Sequence, residues 1–307
     1  MHRQTPKDVG ERSSEDQRRA RRAARDRTQR RRRVIGLCAV VAALAVVAMT
    51  LSSRPAAAPF QRDAASPPRA VALHARAARL LRDDIAIDGV LGYTPYIVRG
   101  SARSREIALT FDDGPGPTTP ALVHYLVTNG VPATFFLVGE AIDKRPGIVR
   151  REHEAGFALG THTQSHARLG SKTAAQQSDE ILSAADRITR ITRHAVKLFR
   201  PPYGSFDANT LEILHAERML MVLWSVDTKD YSAGRPGPIF ATAMSGARSG
   251  SIVLLHDGPG ARPRTLTAVR RLVPALRRRG YRLVSLPELL RDDPPPHNQP
   301  APRSLAG

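Results

Sequence analysis

Residues 107–117 read IALTFDDGPGP, an apolar run ending on two adjacent carboxylates, Asp112 and Asp113, and followed at once by Gly114-Pro115. The run has no polar face, which fits a strand buried on both sides in a helix-covered parallel sheet. An Asp-Gly turn accounts for Asp113-Gly114 but leaves Asp112 unexplained. Neighbours on a regular strand face opposite sides. Both carboxylates can enter one site only where the strand breaks, and Gly-Pro breaks it.

The pattern repeats outward from this stretch. Strand-like runs recur at EIALTFDD, ATFFLVG, FALGTHT, LFRPPYG, MVLWSVDT, SIVLLHD and YRLVSL. Helix-like stretches such as TTPALVHYLVTNG and RTLTAVRRLVPALRRRG separate most of them. Seven strands alternating with helices predict α/β architecture with a parallel sheet. A barrel-like (β/α) closure is expected, with an open doubly wound sheet as the alternative.

Functional groups in βα folds gather at the C-terminal ends of strands, and the polar residues here do so five times. The ends carry Asp112-Asp113, His162 with His166, the RPPYG of residues 200–204, Asp227 with Asp230, and His256. His162 and His166 are spaced i, i+4, so one helical turn would put both rings on one face. A carboxylate from an adjacent strand end would make a His2Asp site with room for water and substrate, as catalytic zinc requires. The second carboxylate then serves as a base. His256 suits a general acid, and Arg200 can fix a catalytic Asp by a bidentate pair. Trp224 and Asp227 read equally well as structural residues.

The first 33 residues hold thirteen basic and five acidic side chains, a net +8 of the chain's +19. They run directly into VIGLCAVVAALAVVAMTL, residues 34–51, which are uncharged and long enough to cross a bilayer. Arg30 to Arg33 then place the N-terminus in the cytoplasm and everything after Leu51 outside. A cleaved signal peptide, giving a secreted protein, is the rival reading. The Arg-rich head lacks interleaved aromatics, so it reads as a topology signal and no nucleic-acid partner is expected. Cys38 is the only cysteine, which excludes an intrachain disulfide. Residues 52–104 read as a linker and an unassigned extension, 105–290 as the catalytic domain, and the Pro-rich 291–307 as a disordered tail.

Taken in order, TFDDG (110–114), HTQSH (162–166), RPPYG (200–204), WSVDTKDY (224–231) and LLH (254–256) resemble the polysaccharide deacetylase family, the NodB-type carbohydrate esterases. The resemblance covers about residues 105–290. It implies a deformed (β/α)7 barrel holding zinc or another divalent ion such as cobalt, with Asp113, His162 and His166 as ligands. Asp112 would be the base and His256 the acid that protonates the departing amine. Arg200 would position Asp112, and Asp230 would tune His256. Tyr203 would lend a backbone N–H to the oxyanion, and Leu255 would line the acetyl pocket. Asp230-Tyr231 departs from the family's Asp-Trp and bears on the shape of the substrate pocket, since Tyr adds a hydroxyl that wants a partner. The implied reaction is hydrolysis of N-acetyl groups from amino sugars in an acetylated glycan such as peptidoglycan or chitin-like oligomers. The alternatives are a non-catalytic glycan-binding module of the same fold and an O-acetyl (xylan-type) esterase.

Overall fold

The computed structural model describes residues 69–297. The basic head, the apolar stretch 34–51, residues 52–68 and the last ten residues of the tail lie outside the described residues. Among the described residues no helix is long and apolar enough to cross a membrane.

Nine strands form one sheet in which every pairing is parallel. They are β1 (Tyr96–Ile97), β2 (Glu106–Gly114), β3 (Thr134–Leu137), β4 (Ala158–Thr161), β5 (Leu198–Phe199), β6 (Leu220–Val222), β7 (Val226–Asp227), β8 (Ser251–His256) and β9 (Arg282–Val284). Their order is β1-β6-β5-β4-β3-β2-β8-β7, with β9 also on β2. The barrel-like closure is thus an α/β half-barrel of parallel strands. β2 is its spine: all nine of its residues are buried, and it pairs with β3, β8 and β9.

Alternation along the strands sorts side chains into two apolar clusters. Ile107, Leu109 and Phe111 pack outward among the helices α2 (Thr119–Thr128), α4 (Pro146–Ala155), α5 (Ala174–Thr192) and α8 (Pro263–Arg278). Ala108, Phe136, Leu198, Leu220, Val222 and Ile252 face the opposite way and fill the barrel lumen. Ala86, Ile87 and Val90 of α1 (Arg69–Leu91) join the lumen cluster, as do Leu286, Leu289 and Leu290 of α9 (Leu286–Asp292). These two helices plug the lumen.

Three elements differ from the sequence reading. The run MVLWSVDT is two strands: β6 pairs with β1 and β5, whereas β7 pairs with β8 on the other edge. Residues 223–225 cross the seam between them, with the Leu223 N–H donating to Ile97 O and that of Ser225 to Ile252 O. The unassigned extension supplies α1 and β1. The start of the expected disordered tail is ordered: α9 runs to Asp292, the Tyr93 hydroxyl donates to Pro295 O, and the Tyr93 ring stacks on His297.

Candidate active site

The lumen column of β2 runs Ala108, Thr110, Asp112, so the same alternation that fills the core carries Asp112 into the mouth. Asp113 enters the same space by a different route. The β2–β3 register shifts between Asp112 and Gly114, and Asp113 takes φ +70°. This bulge turns the second carboxylate inward. The Gly114–Pro115 peptide is cis.

His162 follows β4 directly, and His166 lies in the loop beyond it. The helical turn expected for the pair does not form; Thr163 and His166 at φ +65° and +59° fold the loop so that both rings meet. Their centroids are 5.0 Å apart. Asp113 Oδ1 lies 3.5 Å from His162 Nε2 and 3.1 Å from His166 Nε2. That oxygen is buried without a conventional hydrogen-bond partner. His162 Nδ1 is 2.7 Å from the Arg200 carbonyl. A carbonyl only accepts, so Nδ1 carries the proton and Nε2 offers its lone pair to the site. Ligand atoms around a tetrahedral ion at 2.0–2.1 Å lie about 3.3 Å apart, so this His2Asp group fits a divalent ion. Burial works against the Asp113 charge, but the two imidazoles hold its carboxyl far below the usual range.

Asp112 is 2% exposed, and its Oδ1 accepts from Arg200 Nη1 at 2.7 Å. The contact is single rather than bidentate. The guanidinium of Arg200, wholly buried, also donates to Thr110 Oγ1, Val222 O and Leu223 O and lies 4.2 Å over the Phe136 ring. Asp112 Oδ2 is left facing the site, 3.7 Å from His162 Nε2.

His256 stands beside Asp112, in register on the neighbouring strand. Its Nδ1 is 2.7 Å from Asp230 Oδ1, and Asp230 Oδ2 accepts from the His256 backbone N–H and from Thr265 Oγ1. Burial disfavours the charged imidazole, but the Asp230 hydrogen bond and charge, with Asp112 and Asp113 beyond, push its pKa up to about 9. Asp227 accepts from the Tyr231 hydroxyl at 3.2 Å, which gives that extra hydroxyl its partner. The Tyr231 ring meets the His256 ring edge-on at 5.3 Å. Tyr203, at φ +60°, is half exposed, with its hydroxyl 3.1 Å from His166 Nδ1.

Asp112, Asp113, His162, His166, Tyr203, Asp227, Tyr231 and His256, with Trp224, line a cleft of about 430 Å³, and Arg200 and Asp230 stand behind it. Leu255 does not line it. It packs outward in the helix-facing cluster, and Leu254 lines the cleft instead. Period-two alternation requires this, because His256 faces in. The sequence reading also missed Thr110 and Arg168. Thr110 was detectable two residues before Asp112 on the same strand face; Arg168 lines the cleft and lies 4.6 Å over the Tyr203 ring. Asp257 is buried behind Asp113 and takes a hydrogen bond from Thr119 Oγ1. Burial, with the Asp113 and Asp112 charges, lifts it to about 7.

Residues 99–221 match the polysaccharide deacetylase family model. A peptidoglycan-N-acetylglucosamine deacetylase of Bacillus cereus is 34% identical over 63% of this chain and 71% of its own length. A chitooligosaccharide deacetylase of Bradyrhizobium sp. is 36% identical over 61% of this chain and 91% of its own length. Among solved structures, a peptidoglycan N-acetylglucosamine deacetylase in complex with a naphthyl N-hydroxybenzamide superposes with a TM-score of 0.63 at 32% identity, covering 66% of this chain and 95% of that one.

Proposed function

The chain belongs to the polysaccharide deacetylase family, and from that premise we propose that it hydrolyses N-acetyl groups of amino sugars in peptidoglycan or chitin-like glycans, releasing acetate. One observation carries the reading: a His2Asp group, a free carboxylate oxygen and a carboxylate-backed imidazole converge on one cleft. Asp113, His162 and His166 would hold a divalent ion, zinc or cobalt, which would supply Lewis acidity toward water and the acetyl carbonyl.

Arg200 occupies Asp112 Oδ1, so Oδ2 takes the proton of the attacking water. His256, kept cationic by Asp230, gives its Nε2 proton to the departing amine nitrogen. The amine leaves neutral rather than as an anion. The Tyr203 backbone N–H faces the tetrahedral oxyanion. Leu254, rather than Leu255, borders the acetyl methyl group. Residues 34–51 anchor the chain in the cytoplasmic membrane, and the catalytic domain works outside it.

Acetate release from peptidoglycan and from N-acetylglucosamine oligomers, with added zinc and with a chelator, tests this. Chelator-sensitive release from either supports it. Release from acetylated xylan alone would assign the O-acetyl esterase, and zinc binding without release from any substrate would assign the binding module.

A further inference from the structure

Helix α1 has two chemically distinct faces. Its inner face plugs the lumen with Ala86, Ile87 and Val90 and turns its acids toward the barrel. Asp84 pairs with His194 and Lys197, Asp88 with Lys197 and Arg218, and buried Asp83 with Arg79. No acidic residue appears among the exposed positions of the helix. Those positions instead include Val71, Leu81 and Ile85 at 55%, 54% and 62% exposure, with Arg82 beside them. At 100° per residue Val71, His74, Ala78, Leu81 and Ile85, all exposed, fall within a stripe roughly 80° wide on the side away from the plug. The stripe continues past Ile85 into a groove of about 650 Å³ that Arg103 and Arg291 also line.

An outward stripe that is largely apolar, with His74 within it, Arg82 along one edge and the Lys197-paired Asp88 along the other, suits a helix lying in a membrane interface. The chain enters this helix only seventeen residues after the apolar stretch 34–51. We propose that the outer face of α1 docks on the bilayer surface, its apolar side chains among the acyl chains and Arg82 and Arg103 at anionic headgroups. The inference rests on reading residues 34–51 as a membrane anchor. Because α1 closes the barrel at the end away from Asp112 and His256, docking would direct the cleft away from the membrane.

The test uses the full chain, with Cys38→Ser, reconstituted in vesicles of phosphatidylcholine and phosphatidylglycerol. An environment-sensitive fluorophore is placed at Ile85→Cys or, by the cleft, at Ser232→Cys. Lipids carrying a doxyl quencher should quench the Ile85 label several-fold more than the Ser232 label. Equal quenching at the two positions, with the chain retained after carbonate extraction, would overturn the docking and leave the anchor standing. Release by carbonate would overturn the anchor and the docking with it. A shielded Ile85 label that lipid does not quench would give the stripe to a second copy or to another part of the chain, against the proposal.

Discussion

Arg200 holds one oxygen of Asp112 while Asp113 gives its buried oxygen to two imidazoles, so two adjacent aspartates have different oxygens to offer. Asp112→Asn should therefore keep metal affinity within a few-fold while turnover falls by about 10²–10⁴. Asp113→Ala should lose the affinity itself. Chelator competition alongside acetate release separates the two, and equal loss of metal in both variants would abolish this division. His256 obeys a second rule. The acid must be protonated, so activity should persist up to a limb near its pKa of about 9 and fall above it. Asp230→Asn removes the hydrogen-bonded charge that raises it and should move that limb down by a unit or more in a kcat/KM–pH profile. The sequence named these side chains because each sits at a strand end beside a turn. It misplaced the acetyl-pocket leucine because resemblance points to a motif, whereas alternation on β8 decides which of Leu254 and Leu255 faces in.

At the scale of elements, β3 and β4 set the depth of the site. Gly160 of β4 lies against Phe136 of β3, where an added Cβ would come within 2.6 Å of the ring and 3.0 Å of Leu198 O. That ring carries the Arg200 guanidinium. Gly160→Ala should cost about 1–3 kcal/mol in urea unfolding. It should also lower kcat through a displaced Arg200, and an unchanged kcat would detach the Phe136 shelf from catalysis. Strand existence was legible because the runs are apolar and bounded by Gly and Pro. The split of MVLWSVDT into β6 and β7 was not, since a strand crossing to the opposite sheet edge changes partners without changing local pattern. The pairing of His162 with His166 was legible from their spacing but its backbone was not: a helical turn was expected, and two residues at positive φ bring the rings together instead.

For the whole molecule, acid is the informative stress. His153 of α4 lies in a small cavity beneath α1, 8% exposed, and its pKa is lowered to about 4 by burial first and then by the Arg76, His194 and Arg79 charges. A folded-state pKa below the unfolded value of about 6.5 means the unfolded chain takes up the proton first. This contribution is complete above pH 6.5 and is lost as pH falls towards 4, on the order of 3 kcal/mol in all. Urea titrations at pH 7 and pH 4.5 should show His153→Gln losing less stability on acidification than the parent chain, and equal losses would discount His153. The plug that traps it went unassigned in the sequence because exposed Val71, Leu81 and Ile85 on the outer side of α1 blur the apolar stripe of the inner one. The half-barrel also has a thin wall where three residues span the gap between β6 and β7 and Arg200 ties the Leu223 carbonyl to Asp112. Where β2 pairs with β3 and β8 a ladder of strand bonds must break together; here the wall can open one amide at a time. A branched or peptide-bearing glycan entering beside Trp224 would then meet a compliant margin, and the motion that admits it would pull on the same guanidinium that aims Asp112.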